Sequence, residues 1–282
     1  MAARQPTPSL RLRLDLDYDG SAFHGWASQP GLRTVAGVLS DALAVALRVA
    51  ADDVSLVVAG RTDAGVHASG QVCHLDLARE VDLDRLTRSV RGLLPADVRL
   101  RRVVIAPPGF DARFAALRRH YEYRLDDDPA GVAPLARGYV VAHSRPLDVE
   151  AMSTSSQQLL GLHDFAAFCK RRDQPAGTAT TIRTLERFTW RRDVAGQVVT
   201  RLSADAFCHS MVRALVGALL SVGDGRRPVD WPAAVLAAGV RDPAVTVAPA
   251  HGLRLVAVDY PPDEGLAARA VQARAVRSAT PG

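Results

Sequence analysis

The segment Ala59-Gly60-Arg61-Thr62-Asp63-Ala64-Gly65-Val66-His67-Ala68 lies between two stretches that predict β-strands. A β-branched run at residues 54–58 precedes it, and residues 71–77 alternate on one face behind it. Its glycines permit positive φ angles and a close approach of the backbone to a ligand. The segment therefore predicts a tight loop that presents Arg61 and Asp63 between two strands.

Arg61 and Asp63 place an always-charged cation close to a carboxylate. An ion pair at that spacing favours the ionised carboxylate, which suits a nucleophile and not a general acid. For an isolated R-x-D pattern, stapling of a tight turn is the commoner explanation. The rest of the chain decides between these two interpretations.

The composition is that of a globular protein with a mild excess of positive charge. The 282 residues are 48% hydrophobic and 23% charged, with a formal net charge of +5 and a pI near 9.5. A basic chain favours a polyanionic partner, because Lys and Arg that neutralise phosphates release counterions. Lys170 is the only lysine. This bias is equally compatible with a genome-wide codon preference, so basic clusters are weak indicators here.

Cysteine and histidine usage argues against a metal site and against a disulfide framework. The cysteines Cys73, Cys169 and Cys208 are odd in number and far apart, and no H-x-x-x-H pair occurs. This usage is typical of a reducing compartment.

Residues 1–9 lack the apolar core of a signal peptide, and the apolar run at 214–222 is too short to span a bilayer. We expect a soluble cytoplasmic protein.

The first half of the chain predicts the order β-α-β-loop-β-α-β. Alternation at residues 10–18 predicts a half-buried strand, and residues 35–47 have helical apolar spacing behind a capping Thr34. A second amphipathic helix at 83–94 and a strand at 98–105 follow the central loop. This order is the ferredoxin-like one, with helices on one face of an antiparallel sheet.

The second half predicts the same order without repeating the sequence. Its strands are predicted at 118–125, 184–191, 197–203 and 253–259, and its helices near 149–160, 207–222 and 231–238. The expected fold class is α+β, with two ferredoxin-like halves that form a largely antiparallel sheet, helices on one side and a catalytic cleft between the halves. We expect domains at 1–106 and 107–260, followed by a disordered tail at 261–282.

A series of motifs resembles, in order, the bacterial tRNA pseudouridine synthase A family. They are DYDGS at 17–21 with GW at 25–26, GRTDAGVHA at 60–68, FDARF at 110–114, RHYEY at 119–123, GLHDF at 161–165, FCHSMVR at 207–213 and HGLRLV at 251–256. A single G-R-T-D motif would be weak. The ordered series extends from about Leu12 to Tyr260, nearly the whole chain, and is therefore a strong signal.

The resemblance implies a cofactor-free isomerase that converts uridine to pseudouridine at positions 38, 39 and 40 of the tRNA anticodon stem-loop. It implies that Asp63 is the nucleophile and that Tyr121, the first tyrosine of RHYEY, packs on the target base. It further implies a homodimer whose two subunits together form the tRNA-binding clefts. Neither a metal nor a membrane is expected.

The chemistry of this reaction can also be argued from the residues. Moving uracil from an N1 to a C5 linkage requires cleavage of the glycosidic bond, rotation of the base and loss of the C5 proton. A desolvated carboxylate can add to uracil C6 or assist departure at C1′, and both routes stay open because each needs an ionised Asp63. Arg213, the arginine of FCHSMVR, is the first candidate to hold that charge in a dry pocket.

Arg61 and Tyr121 fit the requirement that the reactive base leaves the stack. We interpret Arg61 as the residue that fills the space of the flipped nucleotide or contacts its phosphate. Tyr121 offers a stacking face for uracil, and its hydroxyl can take part in C5 deprotonation. Without the surrounding motif, an ordinary core tyrosine would be the default interpretation of Tyr121.

Two other functions are compatible with parts of the sequence. A catalytically silent RNA-binding protein or folding chaperone on the same scaffold has no need of Asp63, Tyr121 and Arg213 together. An aspartate-based phosphohydrolase lacks the metal ligands that such chemistry usually requires. The basic runs Arg101-Arg102, Arg118-Arg119 and Lys170-Arg171-Arg172 are candidate phosphate contacts, although each is equally well explained as solvated charge.

Overall fold

A computed structural model describes residues 10–170 and 180–274, which divide into two compact units. The first unit contains the described residues up to Leu117 together with Val258–Arg274, and the second contains Arg118–Ala257. These bounds differ from the expected ones at 106 and 260. The reason is that Phe110 and Ala112 are buried in a core cluster with other residues of the first unit.

The first unit contains a small antiparallel sheet with two helices between its strands. Its elements in the N-terminal part are β1 (Leu10–Tyr18), α1 (Val35–Leu47), β2 (Val57–Val58), β3 (His67–Leu77), α2 (Leu83–Leu93) and β4 (Val98–Ile105). The strands follow the order β4-β1-β3, with β2 paired to β3, and every pairing in this set is antiparallel. This is the ferredoxin-like order that the sequence predicts.

Local sequence explains why these elements form. Alternation in β1 buries Leu12, Leu14 and Leu16 completely, whereas the residues between them are half-exposed. The hydroxyl of Thr34 accepts a hydrogen bond from the backbone N–H of Gly37 at 3.2 Å and so caps α1 as predicted.

The second unit has the same core order with an extra edge strand. Its elements are β5 (Arg118–Asp126), β6 (Val141–Ala142), α3 (Val149–Gln157), β7 (Gly161–Asp164), β8 (Ile182–Arg192), β9 (Val198–Ala204), α4 (Met211–Gly223), α5 (Trp231–Ala238) and β10 (Leu253–Asp259), of which the last two residues belong to the first unit. The strand order is β10-β5-β9-β8-β7, with β6 parallel to β5. In strand order, the series β10-β5-β9-β8 of the second unit thus corresponds to the series β4-β1-β3-β2 of the first unit. The α+β fold class is confirmed.

The C-terminal segment differs from the expected disordered tail. Leu266–Arg274 forms helix α6, in which Leu266 and Ala270 are buried in a core cluster of the first unit. At its end, Arg274 donates a hydrogen bond to Asp111 at 3.0 Å. Two buried residues give too short an apolar period for the sequence to reveal the helix. Residues 275–282 of the expected tail lie outside the described residues.

One pair of cysteines forms a disulfide bond, which the argument against a disulfide framework did not foresee. Cys169 and Cys208, both in the second unit, are joined by a disulfide with their Cα atoms 5.7 Å apart. They are separated by 39 residues, so only the fold brings them together. Cys73 is free and buried, and burial raises the pKa of its thiol.

Candidate active site

The loop that carries Asp63 is closed by a tight turn. Strand β3 begins at His67, so the loop before it comprises residues 59–66. The backbone N–H of Val66 donates to the carbonyl of Asp63 at 3.2 Å, and Gly65 inside this turn has φ +77°. The Asp63 side chain is neither buried nor fully exposed, because the residue has intermediate accessibility. A carboxylate in this position can be approached by a ligand while its backbone is fixed.

A second segment of the first unit packs directly against this loop. The backbone N–H of Trp26 donates to the carbonyl of Thr62 at 3.0 Å, and that of Gly65 donates to the carbonyl of Phe23 at 3.2 Å. Gly25 has φ +92°, and a Cβ on it would lie 2.8 Å from the Thr62 carbonyl oxygen. Residues 23–26, which include the GW motif, therefore supply the backbone on which the Asp63 loop rests.

Three buried polar side chains join the loop to strands β1 and β3. The Tyr18 hydroxyl lies 2.8 Å from the Thr62 hydroxyl, and the Gln71 amide donates to Tyr18 at 3.1 Å and to the carbonyl of Gly60 at 2.9 Å. The three residues are between 0% and 6% exposed. The sequence motif predicts the loop, but no pattern in the sequence indicates a role for Gln71.

Arg61 does not form the ion pair that its spacing from Asp63 suggested. Arg61 is exposed, and no hydrogen bond or ion pair joins it to Asp63 among the residues that the structure describes. Arg61 is thus an exposed residue of the loop that carries Asp63.

In the second unit, Tyr121 occupies a buried position on β5. Its side chain is 7% exposed, and its ring meets the ring of Phe207 edge-on with centroids 5.2 Å apart. Strand β5 pairs Tyr121 with Leu202 of β9. The ring orientation is therefore set by the strand and by one aromatic neighbour.

Arg213 lies in the first turn of α4 and is fastened to an adjacent segment. Its Nε donates to the carbonyl of Ala248 at 2.7 Å, and the N–H of Ala248 donates back to the carbonyl of Arg213 at 3.0 Å. Helix α4 begins at Met211, later than the predicted start at 207, because Ser210 has a non-helical φ of +62°. The positive charge of Arg213 also acts on Tyr123 of β5. Burial raises the pKa of Tyr123, and this charge opposes that rise.

The carboxylate of Glu122, on the other face of β5, binds three guanidinium groups. The sequence pattern did not predict this cluster. Glu122, 3% exposed, accepts from Arg124 at 2.9 Å, from Arg254 at 2.8 Å and from Arg201 at 3.1 Å. Burial alone would raise the pKa of Glu122, but the three arginines outweigh it and hold the pKa below its usual range. Because side chains alternate along a strand, this cluster and Tyr121 lie on opposite faces of β5.

Comparison with known proteins places this chain among RNA-modifying enzymes. The profile of a family described as tRNA pseudouridine synthase matches residues 156–261. A protein called tRNA pseudouridine synthase A from Frankia casuarinae is 60% identical, over 95% of this chain and 96% of its own length. Proteins of the same name from Streptomyces griseus and Mycobacterium leprae are 55% and 49% identical, each over 95% of this chain and over 94% and 96% of their own lengths.

The chain belongs to the tRNA pseudouridine synthase A family. Enzymes of this family are isomerases, so the predicted family and enzyme class are confirmed. Among solved structures, a dye-decolorizing protein from V. cholerae aligns with a TM-score of 0.20 and 12% identity, over 93% of this chain and 98% of its own. A similarity at that level supports no argument about fold or function.

The candidate phosphate contacts of this family member differ in accessibility. Arg102 is 58% exposed, with Asp15 3.8 Å away, and Arg118 forms an exposed ion pair with Glu186. Arg119 is buried and donates to the carbonyl of Asp205 at 2.7 Å, which removes it from the candidates. Of the third basic run, Lys170 is exposed, whereas residues 171 and 172 lie outside the described residues.

The described ranges 10–170 and 180–274 contain neither a metal cluster nor a membrane-spanning helix. No group of three or more His, Cys, Asp or Glu side chains there is arranged to hold a metal ion. No helix in the same ranges is long and apolar enough to cross a membrane.

Proposed function

We propose that the protein isomerises uridine to pseudouridine at positions 38, 39 and 40 of the tRNA anticodon stem-loop, with Asp63 as the nucleophile. The observation that carries the proposal is the identity of 49% to 60% with proteins named tRNA pseudouridine synthase A over 95% of the chain. The fixed loop and the intermediate accessibility of Asp63 support the assignment of the nucleophile.

The reaction is a net rearrangement within one nucleotide. The bond between N1 and C1′ breaks, a bond between C5 and C1′ forms, and the C5 proton leaves while N1 gains one. Asp63 acts as a carboxylate that either adds to uracil C6 or assists departure at C1′, and it is regenerated at the end. The balance needs no external oxidant, reductant or cofactor.

Each of the other three residues has a distinct part in the proposal. Tyr121 supplies a stacking face to the uracil, and its phenol can assist removal of the C5 proton. Arg213, in the first turn of α4, is proposed as a substrate-binding arginine, because a bidentate guanidinium is better suited than an ammonium to hold a negative charge. Arg61, exposed beside the loop, takes the space of the flipped nucleotide or contacts its phosphate.

The same proposal includes the assembly and the compartment. We expect a homodimer whose two subunits form the clefts for tRNA, in the cytoplasm and without a cofactor. Sedimentation equilibrium of the purified protein measures the assembly, and a mass of one chain at micromolar concentration would exclude the dimer. Binding of tRNA should weaken steeply with salt, because phosphate contacts by arginine release counterions.

The proposal is tested by release of tritium from C5 of labelled uridine in tRNA. The Asp63→Asn variant should release tritium at least about 10³-fold more slowly than the wild type, because the amide is not a nucleophile. Asp41→Asn, a matched change at an exposed aspartate of α1, should retain the wild-type rate. Release at the wild-type rate from Asp63→Asn would overturn the assigned nucleophile.

A second measurement separates catalysis from binding. Filter binding should give Asp63→Asn nearly the tRNA affinity of the wild type, since phosphate contacts are made by basic and neutral donors and not by a carboxylate. Pseudouridine mapping in tRNA from cells with and without the protein identifies the target positions. A wild-type protein that binds tRNA and forms no pseudouridine would instead be the silent RNA-binding protein.

A further inference from the structure

We infer that Gln71, Tyr18 and Thr62 form a buried relay that positions Asp63 for catalysis without touching the RNA. The inference rests on the proposed role of Asp63. It assigns a positioning function to three side chains that lie outside the loop's exposed surface. The contacts between them reach the loop on both sides of Arg61, one at the carbonyl of Gly60 and one at the hydroxyl of Thr62.

The relay begins at Gln71, whose carboxamide is completely buried on β3. Its Nε2 has two protons, and both are used, one on the Gly60 carbonyl at 2.9 Å and one on the Tyr18 hydroxyl at 3.1 Å. Its Oε1 accepts from the N–H of Val72 at 3.2 Å. The amide orientation is thereby fixed, because a flipped group would place its oxygen against the Gly60 carbonyl.

Tyr18 passes this constraint from β3 to the loop. Its oxygen accepts from Gln71, so its own proton is available for the Thr62 oxygen at 2.8 Å. Burial raises the pKa of Tyr18 to about 12, so the phenol keeps that proton at neutral pH. Thr62 adjoins Asp63 in the chain, and its carbonyl accepts from the N–H of Trp26 at 3.0 Å.

The burial of the relay separates positioning from binding. Gln71, Tyr18 and Thr62 are 0%, 4% and 6% exposed, and their side-chain hydrogen bonds join them to one another and to the loop backbone. A loop that has no regular secondary structure owes its geometry to such contacts. A displacement of a catalytic group by about 1 Å can cost about 10²-fold in rate, whereas affinity for tRNA depends on surface arginines.

The experiment compares kcat and KM for tRNA in isosteric variants. Tyr18→Phe and Thr62→Val should each lower kcat by about 10- to 100-fold while KM changes by less than about twofold. Thr62→Ser keeps the hydroxyl and should retain nearly the wild-type kcat. The double variant Tyr18→Phe/Thr62→Val should be no slower than the slower single variant by more than about threefold, because both partners belong to one network.

Tyr260→Phe, at a partly buried tyrosine, is the control for loss of a phenol hydrogen bond. Its hydroxyl donates to the carbonyl of Ala112 at 2.7 Å in the same unit, outside the relay. It should lower the urea midpoint of unfolding about as much as Tyr18→Phe does, but leave kcat unchanged. Equal losses of kcat in Tyr18→Phe and Tyr260→Phe would show a general stability effect and overturn the inference.

Other outcomes of these measurements distinguish an error in the relay from an error in the proposed role of Asp63. Wild-type kcat in folded Tyr18→Phe and Thr62→Val would overturn the relay, as would a rise of KM at unchanged kcat. If Asp63→Asn is inactive while both relay variants are fully active, only the relay is wrong. If Asp63→Asn is itself fully active, the proposed function fails first. Should Tyr18→Phe not fold, the Thr62→Val and Thr62→Ser pair decides the question alone.

Discussion

The ring of Phe207 meets the ring of Tyr121 at 90°, with a centroid distance of 5.2 Å. Phe207 precedes the disulfide cysteine Cys208 and lies on the segment before α4, so it links the tyrosine on β5 to that segment. The edge of one ring against the face of another is a preferred aromatic geometry. It fixes the plane of the phenol that we propose stacks on uracil.

Replacing Phe207 should therefore disturb catalysis more than stability. Phe207→Leu removes an aromatic contact of about 0.5–1.5 kcal/mol, and we expect kcat for tritium release to fall about three- to tenfold. Phe188→Leu is the control, because Phe188 is a buried aromatic of the same unit that packs on Trp190. The control should lower the melting temperature and leave kcat intact. A wild-type kcat in Phe207→Leu would contradict this role.

Gly25 should tolerate no side chain. A Cβ there would lie 2.8 Å from the Thr62 carbonyl at a backbone φ of +92°. Gly25→Ala should destabilise the protein by at least about 1 kcal/mol and also slow tritium release, because the strain falls on the Asp63 loop. Urea unfolding and the release assay measure the two effects.

Substitution of Gly92 by alanine should have the opposite effect on stability. It lies within α2, and a Cβ built on it has no heavy atom within 4 Å. Gly92→Ala should stabilise the protein by about 0.5–1 kcal/mol because alanine is the better helix former. Equal effects of the two substitutions would contradict the close approach at Gly25.

The parts of the fold that the sequence predicts correctly depend on local periodicity. Alternation in β1 identified Leu12, Leu14 and Leu16 as one buried face, and they are completely buried. Helix α1 was predicted with its capping residue Thr34, because a cap is a contact between near neighbours in the chain. Both signals are contained in short windows of sequence.

Contacts between polar residues that are far apart in the sequence were not predicted, because they leave no signal in a short window of sequence. Glu122 is bonded to Arg254 across a separation of 132 residues and to Arg201 across 79. Gln71 reaches Tyr18 across 53 residues. A single polar residue on a strand has no period, so its partner is determined by strand order alone. The sequence could therefore indicate Asp63 and its loop but not the side chains that hold the loop.

The disulfide between Cys169 and Cys208 makes stability depend on redox conditions. It closes a chain separation of 39 residues, and bonds of this kind contribute about 2–4 kcal/mol, mainly by restricting the unfolded chain. Reductant should lower the melting temperature of the wild type. The Cys169→Ser/Cys208→Ser variant should melt at the temperature of the reduced protein.

Adding reductant to that double variant is the internal control. Cys73 is the remaining cysteine of the chain and is buried, so no further shift is expected. Identical melting of the oxidised and reduced wild type would show that the bond contributes no stability.

The pair of Asp127 and Arg192 predicts a pH dependence of stability with a definite sign. Arg192 donates to both carboxylate oxygens of Asp127, each at 2.7 Å, and this contact holds the pKa of Asp127 below its usual value of 3.8. The carboxylate also accepts from the N–H of Leu147 at 2.7 Å. A depressed pKa means that the unfolded chain binds the proton more readily than the folded protein does. The stabilisation is therefore present above the unfolded pKa and is lost as pH falls through the folded one.

Asp127→Asn should lower the free energy of unfolding at pH 7 by about 1 kcal/mol, since one partner is partly solvated. The difference from the wild type should shrink below about pH 4 and vanish once Asp127 is protonated in the folded protein. Arg191→Ala, at the neighbouring exposed arginine, leaves the pair intact and should keep the wild-type pH dependence. Urea unfolding between pH 2.5 and 7 measures all three curves. A constant difference between Asp127→Asn and the wild type across this range would mean that the charge on Asp127 does not stabilise the fold, and that only the shape of the side chain matters at this site.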